Sequence, residues 1–188
     1  MSCNITQGRI EPCKDSVGGL KNVYVINYGE LGDITYSASS NTITDFAGLP
    51  DAYKFELKGG SSFDQTVTAS REAGTTFYDQ TLTLTLKKLD KNTNDELAIL
   101  AVGRPHILVE DNNGNVFTMG LEHGADVNGG TVVTGTAMGD LSGYTLTFNA
   151  QETKPANFIF KTAATESVAT TLVNAGVAVS DTQIDPGA

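Results

Sequence analysis

The sequence has no tryptophan, only two histidines and two cysteines, and little positive charge. Lys and Arg together number 12 against 22 Asp and Glu, and the formal net charge is −10. A groove that grips nucleic acid needs clustered Lys and Arg, so this balance argues against tight binding of DNA or RNA. An acidic surface can act on nucleic acid in the opposite way, by repelling its phosphates.

Long apolar segments are also missing. No apolar run approaches the roughly 20 residues that cross a bilayer, so we expect no membrane anchor. The N-terminal stretch MSCNITQGRIEPCKDS has neither a basic start nor an apolar core, so we expect no secretion signal. A disulfide between Cys3 and Cys13 would close only a short loop, and two reduced thiols in a protein made in the cytoplasm is the favoured interpretation.

Residue types that carry catalytic chemistry are scattered along the chain. Neither His106 nor His123 has a partner at the i+2 or i+4 spacing of a metal pair, so each is expected to be solvent-facing or structurally satisfied. No serine lies in a GxSxG motif, and no Gly-rich stretch has the ending of a phosphate loop. The sequence therefore predicts a structural protein rather than an enzyme, with no metal and no cofactor.

The stretch EDNNGN, Glu110–Asn115, carries oxygen-bearing side chains at the spacing of a calcium loop. A helix–loop–helix calcium site needs Gly at its sixth position, where counting from Asp111 gives Val116. A hairpin with a two-residue turn at Asn113 and Gly114 explains the same residues better, because Asn-Gly supplies the positive φ angles of a type I′ turn.

Alternating polar and apolar residues between Gly-rich breaks predict a mainly β fold, an antiparallel sandwich or barrel. The predicted strands are residues 23–28, 34–36, 53–58, 63–71, 75–89, 131–136 and 144–150, together with the hairpin at 106–120. The segments 53–58, 63–71 and 75–89 are joined by short Gly-bearing links and are expected to form one antiparallel meander.

One short helix is predicted over about residues 93–102. Asn92 or Thr93 would cap its start. Asp95 and Glu96 would lie in its first turn, where the helix dipole favours acidic side chains.

The segment 75–89, TTFYDQTLTLTLKKL, has two different faces, because side chains alternate across a strand. The faces are Leu82, Leu84 and Leu86 on one side and Thr81, Thr83 and Thr85 on the other. The leucines are expected to form a core with Leu97 and Leu100 of the helix packed on them. Residues 75–88 span roughly 45 Å at strand rise, which is longer than usual and predicts that the strand extends beyond its own core to pair with a neighbour. From the strand pattern alone, the threonine face is expected to face solvent, as in an ordinary sandwich.

Two segments are predicted to lack regular structure. Residues 38–50 are polar, small and end at a proline, which indicates a loop or an irregular arm. Residues 161–188 are rich in Ala, Thr, Val and Ser without aromatics. We therefore divide the chain into a β-rich domain with an N-terminal arm, residues 1–160, and a C-terminal arm or tail, residues 161–188, that orders against a partner.

The order of these elements is similar to that of a known family. A Gly-broken meander, a long two-faced strand and a short helix precede the hairpin VEDNNGNVFTMGLEHG and the closing stretch GTAMGDLSGYTLTFNAQETKPANF. Over residues 10–160 the chain resembles the tail-tube proteins of long-tailed bacteriophages, which are similar to the tube proteins of contractile injection systems. The resemblance implies a virion protein, assembled in the bacterial cytoplasm, whose commonly hexameric rings stack into a hollow conduit for the genome.

In that family the inner strands of all subunits join into one continuous barrel, with the helix on its outer side. The resemblance implies that the chain's first partner is itself, and that tape-measure, tail-end, baseplate or terminator proteins, and a sheath in contractile tails, are further partners. DNA would pass through without specific binding. The threonine face at residues 81–85 would line the bore, where short hydroxyls offer neither aromatic rings for bases nor cations for phosphates.

The resemblance also implies a loop or hairpin that reaches the neighbouring ring. The favoured candidate is the arm at 38–50, and the alternatives are the N-terminal segment through Asp15 and the C-terminal residues 161–188. The candidate residues in the favoured arm are Ser39, Asn41, Ile43, Asp45, Phe46 and Leu49.

Two other function classes fit the same composition. A capsid decoration, head-fibre or head–tail connector protein would also be β-rich, acidic and without catalytic residues. A carbohydrate-binding adhesin would need exposed aromatic rings, and an aromatic fraction of 7% with no tryptophan disfavours it.

Overall fold

The computed structural model of the chain describes residues 7–38, 40–161, 167–180 and 184, so Cys3 and Ser39 lie outside the described residues. The fold is mainly β, as the sequence predicts, and its strands form packed sheets rather than a closed barrel within this described part. The strands are β1 Leu20–Ile26, β2 Ile34–Tyr36, β3 Ile43–Phe46, β4 Asp51–Glu56, β5 Ser62–Ser70, β6 Thr75–Lys87, β7 His106–Asp111, β8 Val116–Met119, β9 Asp126–Val133, β10 Gly143–Glu152 and β11 Ala178–Val179. The helices are α1 Lys91–Val102 and α2 Val168–Asn174.

Two main sheets carry the fold. One has five strands in the order β11-β4-β1-β7-β8, and the other has four in the order β5-β6-β10-β9. A two-stranded ribbon of β2 and β3 completes the described set. All pairings in the four-stranded sheet are antiparallel, whereas β11 joins β4 in parallel.

The five-stranded sheet is the middle layer of the molecule. On β1, Val23 and Val25 belong to the hydrophobic cluster between the two main sheets. Tyr24 and Ile26 point the other way, into a second cluster shared with the β2–β3 ribbon and α2. Because β1 is covered on both faces, it has a nearly continuous apolar run rather than an alternating one. The four-stranded sheet is therefore an outer layer with one face free of this packing.

The predicted meander is wrong at its first strand. β4 pairs with β1 in the five-stranded sheet, whereas β5 pairs with β6 in the other sheet. The link between β4 and β5 contains Gly59 at φ 74° and Gly60 at φ 70°, a conformation that only glycine adopts without strain. This link carries the chain from one layer to the other.

The helix α1 begins earlier than predicted. Its N-cap is Asp90, whose carboxylate accepts a hydrogen bond from the backbone N–H of Thr93 at 3.0 Å. The predicted caps Asn92 and Thr93 therefore lie inside the helix, and its first turn contains no acidic residue. The helix instead takes its capping carboxylate from the residue before it.

The second helix, α2, lies in the segment predicted to be a tail. Its N-cap is Ser167. Leu172 is fully buried in the hydrophobic cluster that the five-stranded sheet shares with the β2–β3 ribbon. Residues 167–180 thus pack on the domain instead of forming a separate arm. Neither helix has the length and apolarity to cross a membrane, a finding that covers the described residues alone.

Candidate assembly surface

The two faces of β6 are sorted as the alternation predicts. Leu82 is fully buried and Leu84 is 2% exposed, both in the cluster between the sheets, with Leu86 at its border. That cluster draws Val23 and Val25 from β1, with Ile107 and Val109 from β7. The expectation that the helix covers the leucines is only partly met. Leu100 borders the cluster, whereas Leu97, which is 7% exposed, lies outside it.

The opposite face of β6 points away from the molecule. Thr81, Thr83 and Thr85 are half-buried there, each flanked by neighbouring strands of the same sheet. The cross-strand neighbours are Asp64 and Asn149 for Thr81, Ser62 and Thr147 for Thr83, and Thr145 for Thr85, with Thr131 opposite Thr145 on β9. Hydroxyl side chains therefore occur on this side of all four strands, interrupted by Asp64, Asn149 and Gly129. We call this the hydroxyl face.

Of the three threonines predicted to line a bore, Thr85 is the one covered by another segment of the same chain. Its hydroxyl donates to the backbone carbonyl of Gly60 at 2.8 Å, and its backbone N–H donates to the Ser61 hydroxyl at 3.0 Å. The link between β4 and β5 thus folds over this end of the hydroxyl face. The sequence could not indicate this contact, because it joins residues that lie 24 or 25 positions apart.

Charge on the hydroxyl face is sparse and mostly negative. Asp79 accepts a hydrogen bond from the amide of Asn149 at 2.8 Å, and Asp64 lies opposite Thr81. Lys87, at the end of β6, donates to the backbone carbonyl of Lys58 at 2.8 Å. Between Thr81 and Thr85 the face offers hydroxyls and little to attract phosphates, whereas the half-buried Phe77 lies on the same side nearer the hairpin turn.

Both edges of the four-stranded sheet are open. β5 and β9 are its outer strands, and no described strand pairs with their outer edges. Unpaired edges expose rows of N–H and C=O groups that can pair with another chain. The long β6 also extends past β10, because residues 75–77 pair with β5 alone. The β5–β6 hairpin therefore projects beyond the sandwich, with its residues 66–76 exposed.

The predicted inter-ring arm at 38–50 is not irregular throughout, because it contains the strand β3. Ile43 and Phe46 are fully buried, and β3 pairs with β2 and bridges Ile159. The other described candidates, Asn41, Asp45 and Leu49, are exposed. Ile-Thr-Asp-Phe does not alternate, and both of its ends are buried, so the sequence offers no strand pattern here. The projecting hairpin, rather than this segment, extends away from the core.

The turn between β7 and β8 differs from the predicted two-residue turn. Gly114 has φ 76°, but Asn113 does not have a positive φ, and the Gly114 N–H donates to the Asp111 carbonyl at 3.1 Å. This is the three-residue loop with a glycine bulge. The Asp111 carboxylate accepts from the Asn115 backbone N–H at 2.7 Å, so the turn itself uses these oxygens.

His106 is buried and satisfied at both ring nitrogens. Nδ1 lies 2.6 Å from the Gly120 carbonyl oxygen, and Nε2 accepts from the Gly29 N–H at 3.1 Å. Nδ1 must therefore carry the proton, and the ring is neutral. Burial lowers the pKa of His106 below its ordinary value. Tyr28 stacks on the ring at 5.0 Å between centroids.

His123 lies beside two carboxylates, Glu122 and Glu152, with potential ligand atoms within 4.8 Å of one another. Glu152 is buried, and its Oε1 accepts from the backbone N–H groups of residues 122 and 123 at 3.0 and 2.9 Å. Glu122 accepts from Thr153 and pairs with Lys154. These contacts account for the arrangement as a fixed turn. The sequence missed it because Glu152 is 29 positions from His123.

A buried carboxylate joins β1 to β7. Glu110 is 1% exposed and its Oε2 accepts from the Asn22 amide at 2.6 Å and the Tyr24 hydroxyl at 2.9 Å, while Lys21 lies 3.1 Å from Oε1. Burial and the adjacent Glu110 raise the pKa of Tyr24. These contacts tie β1 to β7 through one buried side chain.

No family model matches the chain, and no curated protein matches it either.

Proposed function

We propose that the chain is a structural subunit that assembles into stacked rings, forming the tail tube of a bacteriophage and a conduit for its genome. The observation that carries this proposal is the hydroxyl face, a sheet surface that no described apolar layer covers, bounded by the open edges of β5 and β9. An edge of one copy can pair with the opposite edge of the next, and closing the ring leaves no edge exposed.

The chemistry of the face suits a bore. Apolar rings would stack on bases and lysines would hold phosphates, and either would slow a passing strand. Residues such as Thr81 and Thr83 keep high strand propensity while offering neither contact. The five-stranded sheet, α2 and the β2–β3 ribbon would then form the outer layers of the wall.

The projecting β5–β6 hairpin is the element we propose for contact between stacked rings. Its exposed residues extend past β10, whereas β3, in the segment at 38–50, is anchored in the core by Ile43 and Phe46. Further partners follow from this role: tape-measure, tail-end, baseplate or terminator proteins, and a sheath where the tail contracts.

Labelling of assembled protein tests the proposal. In a Cys3→Ser/Cys13→Ser background, Thr83→Cys is compared with Val173→Cys, whose parent side chain is 64% exposed on α2. Electron microscopy first establishes hollow tubes. In tubes, the residue-83 thiol should react with a small maleimide but not with a bulky polymer-linked one, while the residue-173 thiol reacts with both.

Two outcomes contradict the proposal. Equal reaction of both thiols with the bulky reagent in tubes would place the hydroxyl face outside the bore. Monomers or trimers that dock on capsids and never form tubes would favour a decoration or connector role instead.

A further inference from the structure

A row of aromatic side chains runs from the cluster between the sheets to the surface on one side of the sandwich. Phe63 stacks on Phe117 at 6.1 Å between ring centroids, and Phe117 meets Phe158 at 4.7 Å. Phe158 is 49% exposed and Phe160 is 50% exposed, and both point outward because Ile159 between them is buried. We call these four residues the phenylalanine ladder. Of these four, Phe158 and Phe160 are the exposed pair, whereas Phe63 and Phe117 are half-buried.

The ladder marks one edge of the molecule. Phe63 belongs to β5, the outer strand of the four-stranded sheet, and Phe117 belongs to β8, the outer strand of the five-stranded sheet. The contact between these rings therefore places the ladder along the β5 edge.

A second apolar patch marks the opposite edge. Ile99 is 66% exposed and Val102 is 89% exposed, and their i, i+3 spacing puts them on one face of α1. The helix lies along β9, because its N-cap Asp90 bonds to Tyr144 beside the end of β9, and Arg104 pairs with Asp126 at the start of β9. We call Ile99 and Val102 the helix patch.

Charges near the two patches are mixed and do not frame the contact. Lys154, which precedes the segment of Phe158 and Phe160, is already paired with Glu122 at 3.4 Å. The exposed acids of α1 are likewise accompanied by exposed Lys91 and Arg104 at its two ends. The two patches are therefore matched by their positions at opposite edges of the four-stranded sheet.

We propose that the phenylalanine ladder of one copy is covered by the helix patch of the next copy. This inference rests on the proposed ring, in which the β5 edge of each copy meets the β9 edge of its neighbour. The two patches then meet outside the joined four-stranded sheets. Because each copy uses its ladder towards one neighbour and its helix patch towards the other, the contact is head-to-tail and repeats around the ring. Two half-exposed phenylalanines offer about 150–250 Å² together, well below the roughly 800 Å² per partner of a stable interface. The ladder therefore acts with the strand edges rather than alone.

Cross-linking of mixed single-cysteine variants tests this contact. Phe160→Cys and Val102→Cys are made separately in the Cys3→Ser/Cys13→Ser background, mixed, assembled into tubes and treated with a short bis-maleimide. We expect covalent dimers from the mixture and almost none from either variant alone. A mixture of Phe160→Cys with Val173→Cys is the matched control and should stay monomeric on a denaturing gel.

The results separate this contact from the proposed function. Tubes without cross-links in the mixture, or dimers formed by either variant alone, would overturn the ladder–helix contact and leave the tube proposal standing. Failure of the unsubstituted chain to form rings or tubes would overturn the proposed function itself, and the contact with it.

A second measurement does not depend on reagent geometry. The double variant Phe158→Ser/Phe160→Ser should raise the protein concentration needed for assembly roughly tenfold or more, the effect of removing a central apolar contact. Val173→Ser should leave that concentration unchanged. The unfolding midpoint of the unassembled double variant should stay near that of the parent, and an unchanged assembly concentration would contradict the proposal.

Discussion

Replacing neighbouring residues of β6 with alanine tests which face is the core. Leu82 is fully buried between the two main sheets, and Thr83, the next residue, lies on the hydroxyl face. We compare Leu82→Ala with Thr83→Ala, since both sit in the same strand with the same two neighbouring strands, β5 and β10.

The magnitudes follow from what each side chain contacts. A buried Leu→Ala change removes apolar contacts and leaves a cavity, at a cost of about 2–5 kcal/mol in the free energy of unfolding. Thr83 loses a cross-strand pair with Thr147, which contributes about 0.2–1 kcal/mol. We therefore expect Leu82→Ala to cost at least twice as much as Thr83→Ala. For a domain of this length, each kcal/mol lowers the melting temperature by about 2–4 °C.

The assay is urea unfolding of unassembled protein, followed by circular dichroism at a concentration too low for tubes. The slope of the free energy against urea should be similar in both variants, because neither changes the surface exposed on unfolding by much. A loss in Thr83→Ala equal to that in Leu82→Ala would refute the assignment of the faces.

Three further predictions concern single sites. Burial lowers the pKa of His106, so the unfolded chain takes up the proton first, and stability should fall as the pH drops below about 6.5. Unfolding midpoints at pH 8 and 5.5 should show that His106→Asn reduces this loss of stability. An equal loss in the variant would show that His106 is not its cause. A Cβ on Gly143 would overlap the Leu86 carbonyl oxygen, so Gly143→Ala should lower the melting temperature, whereas Gly139→Ala, where the space is open, should not. Tyr24→Phe removes a buried donor to Glu110 and should cost about 1–3 kcal/mol in urea unfolding, and a cost near zero would show that Asn22 and Lys21 suffice.

Local patterns in the sequence predict where the strands lie better than they predict which strands pair. The alternation that defines β6 and the turn chemistry around it locate the β5–β6 hairpin, because both signals lie within a few residues of each other. The same alternation in β4 identifies a strand but not its sheet. Its pairing with β1 depends on burial of side chains contributed by distant segments.

The sequence pattern does not predict the helix α2, and the reason is its amino-acid composition. VATTLVN is rich in β-branched residues, which have lower helix propensity, so its helical state depends on packing of Leu172 and Val168 against the middle sheet. Ser167 as N-cap and Gly176 after the helix are signals that could have located it. Long-range contacts such as that between Glu152 and His123 leave no local signal.

The strict alternation of β6 connects the fold to the proposed assembly. A slip of one residue in its pairing would move Leu82 and Leu84 to the outer face and the threonines into the core, so burial fixes the register within each copy. A sheet with fixed register presents its two edges at a fixed stagger, and edge-to-edge joining of identical copies then repeats that stagger around a ring. The leucine face that holds one subunit together thus also determines how its hydroxyl face would align with that of the next.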